Sequence, residues 1–271
     1  MLPLATLPDI IIDEIKSYVI FTPKNKKVLQ NSVDLWCHDK KCAYKLFGHI
    51  SLWNTIYITD MNHLFYKKSK FNSVISSWDV SNVRNMSFMF RGTNAFNQPL
   101  NNWDVSNVTN MNCMFSFAIS FNQSLNNWNV SNVKGMHNLF FGVKNFDQPL
   151  DNWNVSNVIG MSNMFRGACI FNQSLHKWNV SNVINMEMMF SETKEFNQPL
   201  DNWDVSNITS MMWMFEDAIS FNQQLDNWDV SNVTNMKWMF DGAKSLIKLP
   251  EWYTNLFLKI DRLNYLKNTI I

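Results

Sequence analysis

The chain lacks several features that would place it in a common class. Only 4 of its 271 residues are cysteine, which excludes a disulfide-held framework and favours a reducing compartment. No run of about 18 uncharged apolar residues occurs, so the sequence predicts no transmembrane helix. The 23 basic and 22 acidic residues leave a net charge of +1, which argues against a nucleic-acid binder. No basic region precedes an apolar one at the start, so we expect no secretory signal and an intracellular protein.

Motifs of catalysis and of cofactor binding are also missing. The 5 histidines are scattered, and the chain has no nucleophile elbow, phosphate-binding loop or dinucleotide fingerprint. Cys37 and Cys42, with His49 beyond them, have a spacing that zinc sites use, but no second cysteine pair accompanies them. We interpret these cysteines as buried free thiols. The sequence therefore predicts no enzyme, no cofactor and no bound metal.

The chain has instead an excess of aromatic and sulfur-containing side chains, with 12 Trp, 21 Phe and 17 Met against 7 Gly and 7 Pro. These residues recur with a period of 25 residues. The tryptophan column consists of Trp53, Trp78, Trp103, Trp128, Trp153, Trp178, Trp203 and Trp228. A methionine follows each tryptophan after 8 residues, and two columns made almost entirely of phenylalanine come next. Residues 53–252 therefore hold eight repeats, and we predict a solenoid in which each coil buries its apolar face against a neighbour.

Each unit is expected to fold in the same way, as the third one illustrates. Trp103 and Val105 alternate with polar residues, which is the period of a short strand. Val108, Met111 and Phe115 then recur with the period of a helix. The predicted fold class is therefore α/β: a leucine-rich-repeat solenoid with a parallel β-sheet on one side and short helices on the other.

The sequence outside the repeats lies at the two ends, in residues 1–52 and 253–271. The open ends of a solenoid need caps, so both segments are candidates for covering a terminal coil. We predict a small α-helical module over residues 1–52. We predict a C-terminal capping helix over residues 253–271, because its apolar residues are spaced as one helical stripe. This stripe consists of Leu256, Phe257, Ile260, Leu263 and Leu266.

The repeat resembles a known family. The string from Phe96 to Met111, Phe-Asn-Gln-Pro-Leu-Asn-Asn-Trp-Asp-Val-Ser-Asn-Val-Thr-Asn-Met, is closely similar to the BspA-like leucine-rich repeat. That family is abundant in mycoplasma surface lipoproteins and in some proteins of protists and giant viruses. The resemblance covers residues 53–252 and implies a solenoid that binds other proteins or surfaces, without catalysis. The chain departs from the lipoprotein members at its start, where no cysteine is placed for lipidation.

A second resemblance concerns the segment from Leu7 to Val19, Leu-Pro-Asp-Ile-Ile-Ile-Asp-Glu-Ile-Lys-Ser-Tyr-Val, which is similar to the opening of an F-box. Residues 51–58 are similar to the way in which F-boxes end. The resemblance implies docking onto a Skp1-like adaptor of a cullin ubiquitin ligase. The contact residues that it implies are Leu7, Pro8, Ile11, Ile12, Ile15 and Tyr18. The alternative is that these residues form only a helical cap, since Leu-Pro-Asp is also a common helix start.

Two columns of polar residues flank the tryptophans and are expected on the concave face of the predicted sheet. The first column consists of Asp79, Asp104, Asn129, Asn154, Asn179, Asp204 and Asp229. The second consists of Asn102, Asn127, Asn152, Lys177, Asn202 and Asn227. One interpretation is a groove that binds a peptide or protein partner. The other is a structural ladder, in which amides relieve the repulsion between stacked carboxylates. The sequence leaves both open.

Other positions change chemistry from unit to unit within the fixed frame. They include Phe141, Trp213 and Trp238, whose exposure would indicate contact sites. A further column of Asn or Asp, represented by Asn122, directly follows the second phenylalanine of each unit. We expect its side chains to hydrogen-bond backbone groups of the return loop that would otherwise lack partners.

These observations lead to two hypotheses about function. The first is a non-catalytic, substrate-recruiting adaptor: residues 1–52 dock onto a Skp1-like adaptor of a cullin ubiquitin ligase, and the repeats hold a target protein. The second is a structural or surface-interaction protein, adhesin-like or part of a virion, in which residues 1–52 act only as a cap. In either case we expect protein partners, no nucleic acid and no membrane span. We expect a monomer in the cytoplasm, or in a host cytoplasm if the protein is viral.

Overall fold

The computed structural model describes residues 20–254, which comprise a small helical module followed by a solenoid of repeated coils. The predicted contact residues between Leu7 and Tyr18 lie outside the described residues. The predicted capping stripe from Leu256 to Leu266 lies outside them as well, although the backbone is already helical at residues 251–254.

The helical module contains helix α1, Lys26–His38, helix α2, Lys40–Phe47, and a 3₁₀ turn at Ile50–Leu52. Polar side chains start both helices. Asn25 Oδ1 accepts a hydrogen bond from the backbone N–H three residues later at 3.0 Å, and Asp39 Oδ1 does the same at 2.9 Å. Asn and Asp are favoured at this position because they satisfy a donor that has no partner within the helix.

The helical module covers the first coil of the solenoid. Gln30 Nε2 donates a hydrogen bond to the Leu64 carbonyl at 3.1 Å, and Trp36 Nε1 donates to Ser73 Oγ at 3.0 Å. The Trp36 ring also meets the Trp53 ring edge-on, with centroids 6.0 Å apart. Helix α1 therefore joins the aromatic core of the solenoid and covers its first coil.

The coils contain neither an α-helix nor an extended β-strand between residues 53 and 250, so the predicted parallel sheet and helix layer are wrong. Where the pattern predicts a strand, the N–H groups of Trp103 and Val108 bond to carbonyls three residues earlier, at 3.0 Å and 2.9 Å. These are tight turns. In place of a sheet, consecutive coils share single parallel bridges, such as the one between Asn110 and Gly135.

The predicted helix does not form because its backbone N–H groups bond to the next coil. Met111 N donates to the Gly135 carbonyl at 3.0 Å, and Phe115 N donates to the Leu139 carbonyl at 3.0 Å. These donors cannot also serve a carbonyl four residues earlier, as a helix requires. Between them, Cys113 has a φ of 59°, in the left-handed region that a right-handed helix excludes.

Stacked aromatic columns form the core. The rings of Phe115 and Phe140, in adjacent coils, have centroids 5.8 Å apart and lie 6° from parallel. Phe140 also stacks on Phe146 of its own coil at 4.1 Å, and all three side chains are fully buried. Trp128 adds a bond between coils, because its Nε1 donates to the Leu100 carbonyl at 2.9 Å. Each coil is thus covered by its neighbours, as expected for a solenoid.

A ladder of amide side chains joins the return loops, as the column containing Asn122 predicts. Asn122 Oδ1 accepts hydrogen bonds from Asp147 N at 3.0 Å and from Gln148 Nε2 at 3.1 Å. The backbone bond recurs at the equivalent residues Asn72, Asn97, Asp147, Asn172, Asn197 and Asn222. One backbone N–H per loop, which would otherwise lack a partner, is satisfied in this way.

Candidate interaction surfaces

The first predicted polar column forms a series of Asx turns. Asp104 Oδ1 accepts a hydrogen bond from Ser106 N at 3.0 Å. The same bond, two residues along the chain, occurs at Asp79, Asn129, Asn154, Asn179, Asp204 and Asp229. Hydrogen bonds from the Ser106 hydroxyl and backbone lower the pKa of the Asp104 carboxyl. Apart from Asp79, which is half-buried, the column is exposed. Each member therefore holds a turn while lying at the surface.

The second polar column is exposed along its length and is interrupted by Lys177. Lys177 Nζ donates a hydrogen bond to Asp151 Oδ2 at 2.8 Å, which lowers the pKa of Asp151. Four residues of the two columns line a shallow pocket of about 470 Å³ together with His176: Lys177, Asn179, Asn202 and Asp204. The structure therefore brings four residues of the predicted groove together around one pocket.

A pocket of about 500 Å³ around His137 is not predicted from the sequence. Gly135 and Gly160 occupy the bridge position here, where other coils carry Asp, Asn or Ser. A Cβ on Gly160 would lie 2.0 Å from His137 Nε2, so the imidazole fits only because a glycine is present. Burial lowers the pKa of His137, and the exposed side chains of Ile159 and Ile184 form an apolar rim. The sequence signal for this pocket is the glycine that two successive repeats carry at a position where the other repeats carry a polar residue.

The helical module exposes several large apolar side chains. Tyr44, Leu46 and Leu52 are 58%, 56% and 66% exposed. The opposite side of the module packs on the solenoid, where Ala43 and Ile50 are fully buried. Large apolar side chains that are exposed and take no part in a core are candidates for contact with a partner.

Three of the variable positions carry the aromatic residues singled out in the sequence. Trp238 is 52% exposed, whereas Trp213 and Phe141 are half-buried. The two tryptophan rings stack with centroids 5.3 Å apart. The exposure that would indicate a contact site is thus greatest at Trp238.

The two N-terminal cysteines are exposed, so their interpretation as buried thiols is wrong. Helix α1 buries the face that carries Val33 and Trp36, and α2 buries only Ala43, which leaves Cys37 and Cys42 on the outer faces. Within residues 20–254, no group of three or more His, Cys, Asp or Glu side chains is placed to hold a metal ion. No helix in this same part of the chain is long and apolar enough to cross a membrane.

The repeat region matches a protein family. The family described as "Mycoplasma protein of unknown function, DUF285" matches residues 38–153 and again residues 135–252. Searches of curated proteins and of solved structures found no match. The two matched ranges together cover most of the chain and include helix α2 as well as the turn-built coils. The chain therefore belongs to the DUF285 family of Mycoplasma proteins.

Proposed function

We propose that the chain is a non-catalytic protein-interaction solenoid that recruits a target to a cullin ubiquitin ligase. The N-terminal helices dock onto a Skp1-like adaptor, and the repeats hold the target. The F-box-like sequence from Leu7 to Val19 and the BspA-like character of the repeat support this role. The observation that carries the proposal is the exposure of three large apolar side chains of the helical module, Tyr44, Leu46 and Leu52.

A cap needs only the side chains that face the coil it covers. Helix α2 buries only Ala43 among its residues, so most of its surface contributes nothing to covering the first coil. A segment that acted only as a cap would turn its large apolar side chains inward. Burying one such side chain against a partner stabilises a complex by about 1.5–3 kcal/mol, which is sufficient for Leu46 and Leu52 to anchor an interface.

Calorimetry with the purified full chain and a purified Skp1-like protein tests the proposal. One variant combines Tyr44→Ser with Leu46→Ser, and a second combines Leu7→Ala with Ile11→Ala. Ile247→Ser is the matched control, since Ile247 is 86% exposed and lies in the last coil. Circular dichroism verifies that each variant folds.

The full chain and the control are expected to bind the Skp1-like protein saturably and equally. Both helical-module variants are expected to bind at least about tenfold more weakly, as for anchor residues of an interface. Absence of binding by the full chain would contradict the adaptor role, as would equal binding by all variants.

An assembly role is the second candidate, because four backbone N–H groups of the last coil lack an acceptor among residues 20–254. In each of the other coils, four backbone N–H groups donate to carbonyls of the next coil. In the last coil these groups belong to Met236, Trp238, Phe240 and Gly242, and within residues 20–254 they have no acceptor. An unpaired row of this kind can pair with another chain. Light scattering during size-exclusion chromatography would then show a mass that rises with protein concentration. A constant monomer mass would count against assembly.

A further inference from the structure

The last two coils carry a pair of stacked tryptophans on the variable face. Trp213 and Trp238 occupy equivalent positions in consecutive coils, with ring centroids 5.3 Å apart and planes 9° from parallel. Trp238 is 52% exposed and borders an open pocket of about 330 Å³. The other residues that line this pocket are Phe240, Asp241, Leu249, Tyr253 and Thr254.

Two aromatic rings on this face of earlier coils are covered by a cation of the chain itself. The Arg91 guanidinium lies 5.4 Å from the centroid of the Phe88 ring, and the Arg166 guanidinium lies 5.6 Å from that of Phe141. The face of an aromatic ring attracts a cation at such distances. Among the described residues, no lysine or arginine lies over either tryptophan of the stacked pair.

Carboxylates replace the arginines in the last two coils. The repeat position that holds Arg91 and Arg166 holds Glu216 and Asp241 in these coils. The Asp217 carboxylate also lies over the last coil, since a Cβ on Gly242 would approach its Oδ1 to 2.1 Å. An exposed ring with carboxylates beside it accepts a cation from a partner, because no cation of residues 20–254 lies over it.

The acidic character extends over the last three coils of this face. Residues 187–192, 212–217 and 237–242 together contain five carboxylates and one cation, Lys237. Glu192 is paired with Arg166 at 3.0 Å, and Ser191 Oγ donates a hydrogen bond to Glu216 at 3.1 Å. Asp217 and Asp241 make no ion pair within residues 20–254. Within these three segments, the carboxylates without an ion pair therefore outnumber the single lysine.

We infer that Trp238 and Asp241 form a binding site for an arginine-bearing basic segment of a protein partner. The guanidinium stacks on the exposed indole, and the Asp241 carboxylate accepts its N–H groups. Arginine suits this site better than lysine because its planar group can stack and form paired hydrogen bonds at once. Leu249 covers the aliphatic stem. The inference rests on the proposed role of the repeats in holding a target, and is independent of what the N-terminal helices dock onto.

Fluorescence anisotropy of a labelled peptide tests the site on the full chain. The probe is the peptide Gly-Leu-Arg-Leu-Arg-Leu-Gly, and the matched peptide replaces both arginines with glutamate. Trp238→Ala removes the exposed ring, and Asp241→Asn removes the carboxylate charge. Phe88→Ala, at the position equivalent to Trp238 in the second coil, is the matched control. Circular dichroism verifies folding.

The arginine peptide is expected to bind saturably and the glutamate peptide is not. Each of the two site variants is expected to weaken binding about tenfold, and the control is expected to leave it unchanged. The inference is overturned if the full chain does not bind the arginine peptide or binds both peptides equally. It is also overturned if Phe88→Ala weakens binding as much as Trp238→Ala.

The same preparations separate this inference from the adaptor role. Trp238→Ala is expected to bind the Skp1-like protein as the unmodified chain does. Binding of the arginine peptide without binding of the Skp1-like protein would overturn the adaptor role and leave the peptide site standing. Binding of the Skp1-like protein without peptide binding would overturn the peptide site alone.

Discussion

Removing one ring from the middle of the aromatic column tests how the solenoid is stabilised. Phe140 is fully buried and stacks on Phe115 at 5.8 Å, on Phe165 at 5.7 Å and on Phe146 at 4.1 Å. Backbone hydrogen bonds between coils hold these neighbours in register, so they cannot close around the cavity that Phe140→Ala creates. Such a substitution lowers the free energy of unfolding by about 3–5 kcal/mol. Phe140 also lies 6.2 Å from the Trp153 ring, and four lost ring contacts place the value in the upper half of that range.

Phe240 provides the matched comparison in the last coil. It stacks on Phe215 at 5.6 Å and meets Tyr253 edge-on at 5.1 Å, but among residues 20–254 no phenylalanine of a following coil contacts it. Phe240→Ala is expected to destabilise the chain less than Phe140→Ala, because Phe240 stacks on the phenylalanine of one adjacent coil and Phe140 stacks on those of two. Urea denaturation, followed by circular dichroism and tryptophan fluorescence, gives both values. Equal destabilisation by the two variants would refute the nearest-neighbour account.

Three further changes test the polar ladders and the His137 pocket. Asn122→Ala removes the acceptor for Asp147 N, and we expect urea denaturation to show a loss of about 1–3 kcal/mol, with most of it restored by Asn122→Asp. Gly160→Asn displaces the imidazole of His137, whose depressed pKa should return toward about 6.5 in an NMR titration. Because burial depresses the pKa of His137 in the folded chain, the unfolded chain binds more protons below about pH 6.5. The free energy of unfolding therefore falls as the pH falls, and His137→Gln should reduce this dependence.

The repeat and its core could be predicted from the sequence, because every coil makes the same contacts. Phe115 and Phe140 recur at a fixed spacing since each ring must meet its counterpart in the adjacent coil, and both are buried as predicted. Local structure could not be predicted in the same way. The spacing of Met111 and Phe115 fits a helix, yet it equally fits turns whose N–H groups bond to the next coil. Only the contacts between coils distinguish the two.

The surface features also differ in how far the sequence predicts them. Trp238 could be singled out because an aromatic residue at a variable position is visible in the sequence, and it is exposed. The pocket around His137 could not, because it depends on the space that Gly160 leaves in a neighbouring coil. The polar columns lie at the surface, but Asp104 and its equivalents also hold Asx turns. An Asn or Asp that stabilises a turn has the same sequence pattern as one that binds a partner.

Hydrogen–deuterium exchange of the full chain, alone and with a purified Skp1-like protein, tests the central claim most directly. That claim is that the N-terminal helices dock onto the adaptor while the repeats remain free to hold a target. The account predicts slower exchange in α1, α2 and residues 7–18 on adding the adaptor, with no change in residues 53–252. Slower exchange confined to the repeats, or no change anywhere at saturating adaptor, would contradict it.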